Sequence, residues 1–198
     1  QALSASVIAG LTTAAADKLS TTQVNALTNA QIGSLTTGVI NSLSNNNVKA
    51  LTASQFSAMT TTQLQSLSTS QVQQLTTGDT GQIKALTSPV VNNLSTDQVA
   101  ALTSTQVGYL NDSAVSSLTT NRVAALSTSG VQGLSTGQLA QMSSTQVGSL
   151  TATQVPKMST TQLASLSTAQ VRALSTDLLQ ALTTNASQAL SQVASLTS

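Results

Sequence analysis

A large apolar residue returns at every eighth position along almost the whole chain, and this period constrains the fold more than any other feature. The register runs from Leu3 to Leu75, pauses for three residues, resumes at Leu86 and continues to Leu190, giving 24 anchors. All are Leu except Met59, Met142 and Met158, the three Met of the chain. A slot held only by Leu or Met asks for a long, flexible apolar side chain, which is how a core position behaves. Repetition at so short a period is the mark of a solenoid, where each unit is too small to bury its apolar face alone.

Numbered from the anchor, the octad reads Leu, Ser/Thr, Thr, any, Gln, Val, any, Ala/Ser. Position 2 is Ser or Thr in 23 of 24 octads, the exception being Asn111, which can also cap a helix. Position 6 is nearly always Val, Ile or Leu, with Phe56 once, and position 5 is Gln in 13 octads. A half-buried strand would need apolar residues at period 2, but position 1 is odd and position 6 even. Position 6 and the next anchor are three apart, as in Val24 and Leu27 or Val171 and Leu174. That is a step along one helix face. Ser/Thr at position 2 with Gln at position 5 is a capping box, as Ser167-Thr168-Ala169-Gln170 spells out.

The few charges follow the same scheme. Asp97, Asp112 and Asp177 sit at positions 3 or 4, while Lys18, Lys49, Lys84, Lys157 and Arg172 sit at positions 7 or 8. A helix dipole favours that distribution, which Arg122 and Asp17 break. Pro89, at position 4, suits a helix start, whereas Pro156, at position 7, predicts a distorted helix. The expected fold is all-α: a solenoid of very short capped helices, one per octad. A β-solenoid with Thr and amide ladders is the alternative, because Thr and Val favour strands. Columns 1 and 6 should be buried, Leu102, Val107, Leu166 and Val171 among them, and columns 4 and 7 exposed. Helices this short must lean on neighbours, since nucleation dominates below ~12 residues. Small residues at position 8 let backbones approach. Ser at position 2 recurs every third octad at Ser20, Ser44, Ser68 and Ser95, before failing at Thr119. That points to three octads per turn.

Residues 1–198 read as a single octapeptide-repeat solenoid with a three-residue insertion at 78–81. The turn-rich stretch Thr76-Thr77-Gly78-Asp79-Thr80-Gly81-Gln82 is expected to bulge from the surface. Neither end carries a polar capping repeat. Two expectations follow: a slice of a longer array, or open ends that stack head to tail into a filament. The start at Gln1 without a basic n-region suggests a processed product or an excised segment.

The chemistry of a catalytic site is missing. His and Cys are absent, and the five acids are all Asp and scattered. Zinc sites, triads and paired-carboxylate chemistry therefore lack their parts, so no catalytic, metal or cofactor-binding residue is assigned and no cofactor is expected. Asp79-Thr80-Gly81 matches the tripeptide of aspartic proteases, but without its apolar strand context it reads as a polar turn. A net charge of +1 gives no electrostatic reason to expect nucleic acid. No apolar run approaches the ~18 residues of a membrane span, so no membrane insertion is expected. Asn93, Asn111 and Asn185 head sequons that so Ser/Thr-rich a chain produces by chance. Phe56 and Tyr109 read as packing residues.

The octads Leu94-Ser95-Thr96-Asp97-Gln98-Val99-Ala100-Ala101 and Leu166-Ser167-Thr168-Ala169-Gln170-Val171-Arg172-Ala173 resemble the repeats of very large proteobacterial surface proteins of the haem utilisation or adhesion type. The resemblance covers essentially the whole chain and implies surface exposure with an adhesive or structural role. Haem binding does not carry over, because His and Cys are missing and the three Met hold anchor slots. The expected function is an extracellular structural rod, stalk or self-associating filament segment of a bacterial surface. The alternative is a binding module that presents Ser/Thr rows to polysaccharide or ice. Against ice, positions 2 and 3 mix Thr with Ser, Asn, Ala and Asp, whereas lattice matching needs one uniform column.

Overall fold

The computed structural model describes residue 8 and residues 10–183. Among them it shows nineteen α-helices of four to eight residues, two 3-10 segments and no strand. The chain is a helical solenoid with one short helix per octad, and the β alternative is excluded.

Most octads follow one local plan. The position 2 hydroxyl accepts the N–H of position 5, and the position 5 amide oxygen accepts the N–H of position 2. In the octad of Leu166 these bonds are Gln170 N to Ser167 Oγ at 3.3 Å and Ser167 N to Gln170 Oε1 at 2.8 Å. The helix then ends on a tightened bond in which the next anchor's N–H donates to the carbonyl of position 6, as Leu174 does to Val171 at 3.1 Å. Anchor and cap are both extended, so the chain turns a corner on two residues: Leu35 has φ −64°, ψ 144° and Thr36 has φ −71°, ψ 156°. No corner needs a left-handed residue. Gly78, at φ 102°, is the one described residue with positive φ, and it lies in the insertion.

Helices stack on those three octads away, so a turn holds three octads, or 24 residues, and the cross-section has three faces. The first face carries the octads of Leu27, Leu51, Leu75, Leu102, Leu126, Leu150 and Leu174. The second carries those of Leu11, Leu35, Met59, Leu86, Leu110, Leu134 and Met158, and the third those of Leu19, Leu43, Leu67, Leu94, Leu118, Met142 and Leu166. Those 21 octads make seven turns, or roughly 60 Å at the usual 8–10 Å between packed helices.

The core is one continuous column of position 1 and position 6 side chains from Ile8 to Leu182. Leu102 and Val107 are 2% and 0% exposed, Leu166 is buried, and Val171 is half-buried. All three Met are buried, and Phe56 fills a position 6 slot completely. Position 4 is exposed in every regular octad described. Position 7 is mostly exposed, with Pro156 buried. At Pro156 the missing N–H leaves only a 3-10 segment, Val155–Lys157, the distortion expected there.

Small residues set how closely faces stack. A Cβ added to Gly108 would lie 2.9 Å from the carbonyl oxygen of Gly133, and one added to Gly148 would lie 2.7 Å from that of Ala173. At Gly133 a Cβ would collide with the main chain of Ser104.

The insertion leaves the register intact. Gln82 stands six residues after Thr76 instead of three, yet its Oε1 accepts the Thr76 N–H at 3.0 Å and its own N–H donates to Thr76 Oγ1 at 3.1 Å. The extra residues bulge outward with Asp79 and Thr80 exposed. Gly81 closes the bulge, since a Cβ there would meet the Thr76 oxygen at 2.6 Å.

Candidate functional site

The glutamine column is the most elaborate chemistry in the molecule, and it lies inside. Twelve position 5 Gln are buried although each carries a polar amide. Burial of an amide is tolerable only when its donors and acceptor are satisfied. The oxygen completes the capping box. The nitrogen reaches one turn back, to the corner where the preceding face's helix ends.

Gln63 shows the arrangement. Its Nε2 donates to the carbonyls of Ile32 at 2.9 Å and Leu35 at 2.6 Å, while its Oε1 holds the Thr60 N–H at 2.7 Å. Gln98 binds Leu64 and Leu67 in the same way, and Gln138 binds Val107 and Leu110. Each such Gln satisfies orphan groups of two helices at once: the N-cap amide of its own and the C-terminal carbonyls of one in the turn before. Gln82 does the same despite the insertion, reaching Val48 at 2.7 Å and Leu51 at 2.8 Å. The sequence pattern reveals the capping half of this role and conceals the stapling half.

The exceptions are informative. Asn47, a shorter amide at position 5, reaches one carbonyl, that of Leu19, at 2.8 Å. Arg122 also occupies position 5, with Nε on the Leu94 carbonyl at 3.0 Å and Nη1 on Thr119 Oγ1 at 3.2 Å. It stands at a helix start because it replaces a staple, which is why it departs from the dipole pattern. Gln23 keeps its capping box, but its side chain is exposed.

The surface offers little concentrated chemistry. Among the described residues no group of His, Cys, Asp or Glu could hold a metal ion, and Asp79 sits alone in its exposed turn. No helix among them is long and apolar enough to cross a membrane. Asn93 and Asn111 use their side-chain amides on Thr61 Oγ1 and the Lys84 carbonyl, and Asn185 lies outside the described residues. Tyr109 corrects the sequence expectation. It is 40% exposed rather than packed, because the position 8 slot is sized for Ala or Ser and cannot enclose a phenol ring. On the third face position 3 forms an exposed or half-exposed polar row of Thr, with Asn45 and Ser144 in place of Thr.

A comparison with curated proteins found no match. Three stretches, residues 79–112, 123–160 and 157–184, match the model of the ALTTAQ repeat. The six letters of that name correspond to octad positions 8, 1, 2, 3, 4 and 5, which Ala26-Leu27-Thr28-Asn29-Ala30-Gln31 nearly reproduces. They span the corner anchor, the helix cap and the staple, so over those stretches this repeat protein is similar to the ALTTAQ repeat in the residues that build its solenoid.

Proposed function

We propose that the chain is a structural element, a rod, stalk or filament segment of a bacterial cell surface. The observation that carries this reading is the repeated stack itself, in which the recurring side-chain chemistry joins one turn to the next. Gln63, Gln98 and Gln138 all point inward, and the described surface holds isolated charges with no cluster. A stack stapled turn by turn transmits length, and length is what a spacer supplies. The resemblance of its octads to those of large bacterial surface proteins supports a location outside the cell. Small-angle scattering and negative-stain microscopy test the reading: the expected particles are unbranched rods at least ~60 Å long, and compact globules would overturn it. Self-association belongs to the same proposal. Few charges mean little repulsion between copies, so sedimentation should show concentration-dependent, salt-insensitive association, and a strict monomer at high concentration would remove the filament while leaving the spacer.

One observation favours a second reading, a binding module. The third-face row that includes Thr21, Thr69, Thr96, Thr120 and Thr168 presents a hydroxyl on every turn but that of Asn45, a regular row suited to a linear polysaccharide. Asn45 and Asp97 interrupt the uniform surface that ice would require. Retention on immobilised polysaccharides, with thermal hysteresis measured alongside, separates the ligands.

A further inference from the structure

Where position 5 lacks Gln within the stack, either another side-chain bond or, as at Val39, close main-chain packing without a staple joins the turns, with one exception. At the octad of Leu110 position 5 is Ala114, and the junction is made by Ser88 Oγ on the Ser113 carbonyl at 2.8 Å, Asn92 Nδ2 on the Ser117 carbonyl at 2.8 Å and Asn111 Nδ2 on the Lys84 carbonyl at 3.0 Å. At the octad of Leu118 Arg122 serves. At the octad of Leu126 position 5 is Gly130, and the glycines Gly108 and Gly133 bring the backbones together.

The exception is the octad of Leu86. Position 5 is Val90, no side-chain amide reaches the Met59 carbonyl, and Thr87 makes no side-chain cap. The Thr61–Ser66 and Ser88–Val91 helices approach each other less closely at the main chain than the other stacked pairs along the three faces of the described residues. A single bond between the side chains of Asn93 and Thr61, at 3.1 Å and exposed, crosses the gap. Asn92, whose amide nitrogen binds Ser117 of the following turn, keeps its side-chain oxygen buried without a hydrogen-bond partner. The other two faces are stapled at the same level, by Gln82 to Leu51 on the first and Gln98 to Leu67 on the third. Ser88 and Asn92 meanwhile fasten this octad to the turn that follows.

From this asymmetry we infer that the solenoid carries a built-in hinge: the second face opens and closes between Thr61–Ser66 and Ser88–Val91, pivoting on the Gln82 and Gln98 staples. Two bonded faces and one unbonded face define a single bending direction. Weak local bonding places the opening at the low-free-energy end of the molecule's motions. The rod therefore bends most readily at this level.

The chain has no Cys, so pairs of spin labels can be placed at will. One pair at exposed Asn41 and Ala140 spans the seam along the second face, and a pair at exposed Thr22 and Asn121 spans it along the third. The expected result is a second-face distance distribution at least twice as broad as the third-face one. Val90→Gln, which restores the consensus staple, should narrow it to the third-face width. Asn93→Ala, which cuts the remaining link, should broaden it while circular dichroism stays unchanged. Equal widths on the two faces overturn the hinge, as does a second-face distribution unmoved by both substitutions. If Val90→Gln does not fold, the comparison of faces and the Asn93→Ala result decide the matter.

Discussion

The side-chain nitrogen of Gln106 donates to the carbonyl of Leu75 at 3.0 Å, across 31 residues of sequence. The same nitrogen binds Val72 at 2.9 Å, and Oε1 accepts the Thr103 N–H at 2.9 Å. Gln106→Ala strands one cap amide and two carbonyls in the interior, at about 1–3 kcal/mol each before relaxation. The expected loss in urea denaturation is about 3 kcal/mol or more. Gln23→Ala, at an exposed side chain that makes only its capping box, should cost at most about 1 kcal/mol.

A carboxylate completes a capping box as well as an amide does, yet the chain contains no Glu. The stapling half explains this, because a carboxylate cannot donate to the carbonyls of Val72 and Leu75. In Gln106→Glu the new carboxyl faces those oxygens in the core, which raises its folded pKa above the unfolded value of about 4.3. The folded state then binds more protons, so stability is greatest below about pH 4 and is lost as pH rises through the folded pKa. Urea midpoints between pH 3 and pH 8 should fall steadily for this variant relative to the unmodified chain. A flat difference would show that the amide donors contribute nothing.

Two glycines on helices predict opposite signs. In Gly133→Ala the new methyl meets the main chain of Ser104, and forcing the stack apart should cost about 2–3 kcal/mol. In Gly137→Ala the nearest atoms are Ser135 Oγ at 3.7 Å and Asp112 Oδ2 at 3.9 Å, which is ordinary contact. The better helix propensity should then add up to about 1 kcal/mol. Thermal melts of the two variants on opposite sides of the parent would confirm the backbone approach.

Removing residues 78–80 joins Thr77 to Gly81 and regenerates a regular octad, Leu-Thr-Thr-Gly-Gln-Ile-Lys-Ala. Gln82 already makes its cap and its staple across the longer loop. Circular dichroism should therefore be unchanged and stability within about 1 kcal/mol of the parent, the scale of a short loop's closure entropy. Removing residues 145–147 instead deletes the Gln146 staple and shifts the register, and that variant should not fold cooperatively.

What the sequence disclosed and what it hid divide by distance along the chain. The box of Ser167 and Gln170 and the face shared by Val171 and Leu174 lie within one octad, so pattern and propensity reveal them. Three octads per turn left a trace in Ser20, Ser44 and Ser68. The bonds from Gln170 to Leu139 and Met142 leave none, because nothing in an octad says which corner lies one turn away. Arg122 reads as a misplaced charge for the same reason. Tyr109 is exposed although a lone aromatic in so apolar a repeat suggests a core position. The close approach of its neighbour Gly108 to Gly133 appears only once the turns are stacked.

The staples join residues 28 to 34 apart and nothing farther, so each octad depends on its own residues and on the corner one turn before. A gene encoding such a chain can gain or lose material in blocks of 24 residues and re-pair only the three octads next to the seam, each on its own face. A block of 8 or 16 likewise re-pairs only the octads next to the seam, but it rotates everything downstream onto a different face relative to what lies upstream. Recombination within the repeat is thus nearly silent for folding in either case. Only multiples of three octads preserve what each side of the rod shows to its surroundings, so selection on one side should appear as length variation in steps of whole turns.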